Sequence, residues 1–250
     1  MGMHEKIAVV TGVSHTHGIG AAACRKLAAD GCAIFFTYWK AEPEWADSFR
    51  KEMLEHGVRC SSIEIDLSDS HAPIKLLDEV EQRLGLPTIL VNNAAYSTRD
   101  GYQVLDAQTL DNHYAVNMRA TFLLCVEFAR RFEKAQGSAG RIINMTSGQA
   151  QGPMLEELAY GATKAAISGF TLTLSAEIAP LGITVNAVNP GPTDTGWMTE
   201  DLKQELSSQF MMGRMGMPDD AARLIEFLAS DKAEWITGQV ISSEGGFLRR

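Results

Sequence analysis

Three side chains in the second half of the chain have the types and spacing needed for proton transfer. Tyr160 and Lys164 are four positions apart, so on a helix they share one face. A phenol titrates near pH ~10, and a neighbouring ammonium lowers that pKa. Ser147 follows an apolar run that predicts a strand, and its hydroxyl can polarise a carbonyl oxygen. Together these residues predict general acid–base chemistry at a carbonyl or an alcohol.

A glycine-rich segment near the start of the chain has the composition of a phosphate-binding turn. Residues 11–20 read TGVSHTHGIG and lie between an apolar run and a helical pattern. Glycines allow a tight turn and a close approach of the backbone to a pyrophosphate, and the start of the following helix offers free N–H groups. A tight turn that binds nothing has the same composition, so this segment alone leaves both interpretations open.

The end of the second apolar run bears on the choice of nicotinamide cofactor. An acidic residue there would hold the adenosine ribose and favour NAD, but residues 32–40 contain none. Lys40 is placed to pair with a 2′-phosphate, which favours NADP. Glu42 lies close enough to keep NAD open, and Lys40 as a solvated loop residue is a further alternative.

Short apolar runs alternate with helical patterns along the whole chain. The predicted strands cover residues 6–11, 32–38, 59–65, 87–91, 141–145, 183–188 and 239–242. The predicted helices cover residues 18–29, 44–56, 72–84, 107–117, 120–135, 160–179 and 219–228. Because the strands are continuously apolar, we expect a parallel sheet that is covered on both faces. Right-handed crossovers make this a doubly wound α/β (Rossmann) fold of about seven strands.

Composition narrows the class of protein. The chain has 250 residues, 45% of them apolar, and with no linker or repeat it predicts one domain over residues 1–250. A net charge of −9 argues against a nucleic-acid binder. The four cysteines are scattered and the histidines have no ligand-like spacing, so we expect no metal site. Without a signal peptide or a run of ~18 apolar residues, the expectation is a cytoplasmic protein that does not enter membranes.

Taken together, these motifs resemble the short-chain dehydrogenase/reductase family over essentially the whole chain. Five segments carry the resemblance in the expected order: the glycine-rich turn at 11–20, the sequence NNAA at 92–95, Asn117, the set of Ser147, Tyr160 and Lys164, and the pair Pro190 and Gly191. The serine also precedes the tyrosine by the family's usual 13 positions. Among members, the chain is most similar to bacterial 3-oxoacyl-acyl-carrier-protein reductases and related carbonyl reductases.

The resemblance implies roles for individual residues. Tyr160 would be the general acid in reduction and the base in oxidation, and Ser147 would bind the substrate oxygen. Lys164 would hold the nicotinamide ribose and lower the tyrosine pKa, while Asn117 would kink its helix and hold a water that links Lys164 to solvent. The other expected cofactor-binding residues are Gly12, Ser14, His15, Gly18, Ile19, Gly20, Tyr38, Lys40, Asp66, Leu67, Asn92, Ala94, Pro190, Gly191, Thr193 and Thr195.

The substrate pocket is expected to form around a less regular part of the chain. Residues 190–217 contain several glycines and no clear periodicity, which is typical of a mobile substrate lid and equally of a loop with a surface helix. The residues expected to shape the pocket are Tyr96, Gln149, Leu155, Trp197 and the 211–217 region. They are mostly apolar, which favours an aliphatic or ring carbonyl. Family habit implies a homotetramer or homodimer.

One departure from the family pattern bears on the function. Five residues separate Gly12 from Gly18 where the family usually has three, which adds His15 and His17 to the turn. Enoyl reductases of the superfamily also have stretched turns, but six residues separate their tyrosine from their lysine, so the three-residue gap here disfavours that activity. Three hypotheses follow: an NADP-preferring carbonyl reductase, an NAD-dependent sugar or polyol dehydrogenase, and a cofactor-binding regulatory protein without turnover.

Overall fold

A seven-stranded parallel sheet forms the centre of the computed structural model, which describes residues 6–248. The strands are β1 (Ile7–Val10), β2 (Ala33–Tyr38), β3 (Cys60–Glu64), β4 (Ile89–Asn92), β5 (Gly140–Met145), β6 (Ile183–Asn189) and β7 (Val240–Ser242). Their order across the sheet is β3-β2-β1-β4-β5-β6-β7, and every pairing is parallel. This confirms the doubly wound fold. Residues 1–5 and 249–250 of the predicted domain lie outside the described part.

Eight α-helices of the described chain connect and cover the strands. They are α1 (Ile19–Ala29), α2 (Trp45–Glu55), α3 (Ala72–Arg83), α4 (Ala107–His113), α5 (Thr121–Lys134), α6 (Leu158–Ile178), α7 (Glu200–Ser207) and α8 (Pro218–Ala229). Most strands and helices begin and end within two residues of the predicted bounds. The exceptions are α7, for which no bounds are predicted, and the region between α4 and α5.

The expected break between residues 117 and 120 is instead a π-helical segment, Tyr114–Ala120, which joins α4 and α5 into one continuous helix. The π hydrogen-bond pattern is wider than that of an α-helix and changes the direction of the side chains that follow. Asn117 lies in the middle of this segment and is fully buried. The kink expected at Asn117 stays a prediction, and π-helical turns are among the usual sites of kinks in helices.

Two hydrophobic cores lie on opposite faces of the sheet. Val10 and Phe36 face α1 and α8, whereas Val9 and Phe35 face α3, α5 and α6. Neighbouring residues of a strand point to opposite faces, so both must be apolar when both faces are covered. Burying each of these side chains stabilises the fold by roughly 1.5–3 kcal/mol. The two cores hold the carboxyl ends of the strands in one row, where a site of this fold is expected.

Candidate active site

Two cavities open at the carboxyl ends of the strands. The glycine-loop cavity, of about 620 Å³, is lined by the turn after β1 and the segments after β2, β3 and β4. The tyrosine cavity, of about 730 Å³, is lined by the segments after β4, β5 and β6. Ile19 and Thr195 line both, so the cavities adjoin.

The glycine-rich turn leads directly into α1. Gly12 has φ +72°, and a Cβ there would lie 2.6 Å from Ala94 Cα, so both the conformation and the close approach require glycine. Gly18 is the N-cap of α1 and offers no side-chain cap, so N–H groups of the first helical turn are left for another acceptor. This donor set, next to a cavity of sufficient size, fits the pyrophosphate of a dinucleotide.

The two additional residues of the turn place a histidine against the start of α1. His15 lines the glycine-loop cavity and is exposed, and its Cε1 would lie 3.3 Å from a Cβ on Gly18. Ser14 Oγ accepts a hydrogen bond from Trp39 N at 3.2 Å, which ties the turn to the end of β2. The longer turn is thus held in place by the neighbouring strand.

Lys40 does not line the glycine-loop cavity. Its backbone has φ +48°, its N–H donates to Glu64 Oε1 at 3.1 Å, and its Nζ lies 5.4 Å from the centroid of the Trp39 ring. Trp39, which is not among the predicted site residues, lines the cavity instead. Contact between Lys40 and a 2′-phosphate stays a prediction.

The far end of the glycine-loop cavity carries the residues expected near an adenine. Asp66 and Leu67 line it, and Asp66 Oδ1 accepts from Ser68 N at 2.8 Å. Tyr38 and Tyr96 also line this cavity. For Tyr96 this corrects the expectation of a place in the substrate pocket, because the chain after β4 passes the glycine-loop cavity first.

The expected role of Asn92 at the cofactor ribose is not matched by its position. Asn92 is buried and lines neither cavity; its Nδ2 donates to Asn144 Oδ1 at 2.9 Å and to Cys125 Sγ at 3.2 Å. The next residue, Asn93, lines the glycine-loop cavity, and its Nδ2 donates to Thr11 O and Gly12 O at 2.8 and 3.0 Å. Neighbouring residues of a strand point to opposite faces, and at the end of β4 the side chain of Asn92 points into the protein interior.

Gly20 is likewise a packing residue. A Cβ there would lie 2.6 Å from Asn93 Nδ2, and Gly20 itself lines neither cavity. The structure thus places Gly20 where α1 and the loop after β4 approach each other.

The proton-transfer residues come together beside the tyrosine cavity. Ser147 and Tyr160 both line it, and Ser147 Oγ donates to Met154 Sδ at 3.8 Å. Lys164 is buried one helical turn further along α6, with Nζ 5.5 Å from the centroid of the Tyr160 ring. Its ammonium donates to Met145 O at 2.8 Å, so the lysine is anchored to the end of β5. Lys164 lines neither cavity in this arrangement.

Burial dominates the electrostatics of this pair. Burial, with a smaller contribution from the charge of Glu157, raises the pKa of Tyr160 to about 12, and the Ser147 hydrogen bond opposes that rise. Burial lowers the pKa of Lys164 to about 8. The shift for Tyr160 is opposite to the one expected from the Tyr–Lys spacing, because the loss of hydration of the phenolate outweighs the attraction of an ammonium directed at a carbonyl oxygen.

Asn117 contacts the loop after β4 and α6 rather than a cavity. Its Nδ2 donates to Tyr96 O at 2.9 Å and to Thr163 Oγ1 at 3.0 Å, and its Oδ1 accepts from Tyr96 N at 2.7 Å. Both amide hydrogens are therefore used within the protein. The water expected at Asn117 stays a prediction.

The wall of the tyrosine cavity differs in part from the expected pocket. Leu155 and Trp197 lie in it, but Gln149 does not, because its amide nitrogen contacts Thr146 Oγ1 at 3.3 Å on the side of α6. None of residues 211–217 lines it either. Further wall residues, which are not among the predicted site residues, are Ser97, Thr98, Arg99, Thr146, Pro153, Met154, Glu157, Pro192, Leu202, Leu206 and Phe247.

The segment after β6 forms one side of the same cavity. Pro190, Gly191, Thr193 and Thr195 all line it. Gly191 has φ +62°, and a Cβ there would lie 2.5 Å from Glu244 Cβ, so glycine is required where this segment passes the chain after β7.

Residues 6–248 contain neither a group of metal ligands nor a helix suited to span a membrane. No three or more histidine, cysteine or acidic side chains of that range are grouped as metal ligands. No helix in the same range combines the length and the apolar character that a membrane span requires.

Comparison with known proteins agrees with this geometry. Residues 12–248 match a protein-family model described as enoyl-(acyl carrier protein) reductase. The chain is 62% identical over 245 residues to the uncharacterized oxidoreductase YjdA of Bacillus subtilis, and the match covers 98% of each chain. A solved short-chain dehydrogenase/reductase from Serratia marcescens has a TM-score of 0.90 at 33% identity, covering 100% of both chains. A blue fluorescent protein from a metagenomic library, solved in complex with NADPH, has a TM-score of 0.90 at 31% identity, again over 100% of both chains.

Proposed function

Since this chain belongs to the short-chain dehydrogenase/reductase family and is an NAD(P)-dependent oxidoreductase, we propose that it is an NADP(H)-preferring carbonyl reductase. The observation that carries the proposal is the convergence of Ser147 and Tyr160 in one cavity wall, with Lys164 one helical turn behind the tyrosine. The adjoining glycine-loop cavity supports a dinucleotide site next to these side chains.

The protein residues orient the substrate and move the proton, while the bound nicotinamide supplies the hydride. Ser147 Oγ donates a hydrogen bond to the substrate oxygen and Tyr160 Oη gives it a proton. The positive charge of Lys164 then stabilises the tyrosinate left behind. The residues that would hold the cofactor phosphates are the 12–20 turn and the first turn of α1, with Asp66 and Leu67 at the adenine end.

The ionisation of Tyr160 favours the direction of reduction. With a pKa of about 12 in the protein alone, Tyr160 carries its proton throughout the physiological pH range and can act as a general acid. Oxidation of an alcohol needs the phenolate, which is scarce below that pKa. We therefore expect a larger kcat for ketone reduction than for alcohol oxidation at pH 7.

The wall of the tyrosine cavity supports an apolar substrate. Leu155, Trp197, Leu202, Leu206 and Phe247 line the cavity together with Tyr160. Apolar walls with a few oriented polar groups are typical of sites for largely apolar small molecules. The substrate class proposed is an aliphatic or ring ketone. A 3-oxoacyl thioester is a second candidate, supported by the similarity of the motifs to those of 3-oxoacyl-acyl-carrier-protein reductases.

A panel of carbonyl compounds, followed by the absorbance of NADPH, tests the proposal. We expect turnover of aliphatic and cyclic ketones with higher kcat/KM than of polyhydroxylated ones. An enzyme that oxidises sugars or polyols with NAD and reduces no apolar ketone would contradict it and favour the dehydrogenase alternative.

The preference for NADP(H) rests on the absence of an acidic residue at the end of β2 and on Lys40 beside Trp39. The NADPH bound to the blue fluorescent protein supports the same choice. Glu42 keeps the NAD alternative open, and so does Glu64, which accepts from Lys40 N at 3.1 Å. The ratio of kcat/KM with NADPH to kcat/KM with NADH decides between the two cofactors. If Lys40 binds the 2′-phosphate, Lys40→Ala should lower this ratio.

We also propose a homotetramer or homodimer located in the cytoplasm. Large apolar side chains on the surface support self-association, among them Trp235, 97% exposed, and Leu172, 63% exposed. Light scattering on the purified protein gives its mass, and a monomer would contradict the assembly. Fractionation of cells that produce the protein tests its location.

A further inference from the structure

The loop after β4 reaches across to the start of α6 through one buried carboxylate. Asp100 is only 3% exposed. Its Oδ1 accepts a hydrogen bond from Leu158 N at 2.6 Å and its Oδ2 accepts one from Ala159 N at 2.9 Å. The residue at the N-cap position of α6, Glu157, makes no side-chain cap. The helix is therefore capped by a residue 58 positions earlier in the chain.

The capped turn is the one that carries Tyr160. N–H groups in the first turn of a helix have no partner within the helix, so their direction depends on an outside acceptor. Leu158 and Ala159 immediately precede Tyr160, and Lys164 follows one turn later. A carboxylate at the N-terminus of a helix is also stabilised by the helix dipole. Asp100 thus fixes the end of the helix from which the phenol extends.

A backbone hydrogen bond adds to this connection. Asp100 N donates to Glu156 O at 2.7 Å. Asp100 therefore binds the chain before α6 with its backbone and α6 itself with its side chain. Arg99 precedes Asp100 and Glu157 follows Glu156 in the chain, and both of these neighbours line the tyrosine cavity. The same contacts hold together two walls of that cavity.

We propose that Asp100 is a positioning residue for proton transfer, which holds Tyr160 at the geometry that reaches Ser147 and the substrate oxygen. This proposal rests on the proposed role of Tyr160. Asp100 touches neither cavity and acts only through α6. Small displacements of a reacting group lower the rate by about a hundredfold, so the loss of this carboxylate should reduce kcat far more than the affinity for cofactor.

A second aspartate provides a matched control. Asp106 caps α4 by accepting from Thr109 N at 2.8 Å, with the same chemistry but within its own loop. Neither Asp106 nor the helical turn that it caps lines a cavity. Removing it takes away a helix cap without changing the environment of Tyr160.

The experiment compares Asp100→Ala, Asp100→Asn and Asp106→Ala in the full-length protein. For each, kcat and KM are measured with the best ketone of the panel, Kd for NADPH by fluorescence titration, and Tm by thermal melting. Asp100→Ala should lose about a hundredfold in kcat with Kd within about twofold of the original protein. Asp100→Asn, which keeps one acceptor oxygen, should lose less. Asp106→Ala should lower Tm and leave kcat unchanged.

Hydrogen exchange of the peptide over residues 155–165 adds a measurement that does not depend on turnover. We expect faster exchange there in Asp100→Ala than in Asp106→Ala, because the amides of Leu158 and Ala159 lose their acceptor. A folded Asp100→Ala with kcat within about twofold of the original would overturn the proposal. If that variant does not fold, the same result in Asp100→Asn overturns it. Full activity in Tyr160→Phe would instead refute the proposed role of Tyr160.

Discussion

Two regions beside the same cavity are held in different ways. One is the set of buried residues around Lys164, and the other is residues 190–217, the predicted lid segment. Around Lys164, side chains are buried and joined by hydrogen bonds: Lys164 to Met145, Thr146 to Lys164, and Asn117 to Thr163. In the lid segment, α7 has no buried residue, yet Leu202 and Leu206 line the cavity. We infer that the first region fixes the chemistry, whereas the second is free to vary with the substrate.

Bonds from residues 190–217 to the rest of the chain include the antiparallel bridge between Phe210 and Phe247. Around α7, Lys203 pairs with Asp194 of the same segment at 2.9 Å. Surface ion pairs contribute about 0–1 kcal/mol, so this contact adds little to the stability of the segment.

The largest expected effect comes from removing the proton donor. Tyr160→Phe should lower kcat for ketone reduction by about 10²–10⁴-fold, because the hydroxyl supplies general acid catalysis. Kd for NADPH should stay close to that of the original protein, since the rest of the site is kept. Steady-state kinetics and fluorescence titration measure the two quantities. A rate close to the original would show that the proton comes from another group.

A buried polar residue behind the cavity tests stability rather than rate. Asn144 accepts from Asn92 Nδ2 at 2.9 Å and donates to Thr171 Oγ1 at 3.0 Å. Asn144→Ala removes one acceptor of the Asn92 amide and the donor to Thr171 Oγ1 in the interior, and it should lower the free energy of unfolding by about 1–3 kcal/mol. Urea denaturation measures this. A loss below about 0.5 kcal/mol would contradict the view that this region is held by its hydrogen bonds.

The pH dependence of reduction tests the charge of Lys164. Because its pKa is lowered to about 8, the ammonium is present below that pH and is lost above it. We expect kcat to be constant below pH 8 and to fall about tenfold per pH unit well above it, since the neutral amine cannot stabilise the tyrosinate. Lys164→Arg keeps the charge at high pH, so the break near pH 8 should disappear. A flat profile up to pH 10 in the original protein would contradict this assignment.

The smallest expected effect lies in the lid segment. Leu206→Ala should raise KM for an apolar ketone by about three- to tenfold, because part of the cavity wall is lost. The free energy of unfolding should change by less than about 0.5 kcal/mol, as for other surface positions. Met211→Ala is the matched control, because Met211 is in the same segment but does not line the cavity. Equal effects of the two variants on KM would show that the wall does not contact the substrate.

The parts of the site that the sequence predicts are those that local spacing determines. The strands follow from continuous apolar runs, and the shared face of Tyr160 and Lys164 follows from the helical period. The choice between Asn92 and Asn93 depends on the direction in which β4 ends, which sequence alone does not give. The same limit applies to Gln149, whose direction is set by its contact with Thr146.

Other features depend on packing between distant segments. The contribution of α7 and Phe247 to the cavity, in place of residues 211–217, follows from the bridge between Phe210 and Phe247. The cap that Asp100 provides to α6 joins residues 58 positions apart. The lowered pKa that the spacing predicts for Tyr160 is wrong, because spacing indicates a neighbouring charge but not the depth of burial. Each of these features can be seen only in the tertiary structure.

The π-helical segment Tyr114–Ala120 determines the rotational phase between the two α-helices that it joins. Successive residues of an α-helix are turned by about 100°, so the wider π turn rotates α4 relative to α5. One continuous helix can therefore direct Phe128 toward the sheet and, with Asn117, bind the loop after β4. Deleting one residue of the segment would restore an α-helical path and turn one of these surfaces away from its partner. The phase of this helix, and not only its composition, is thus a requirement of the fold.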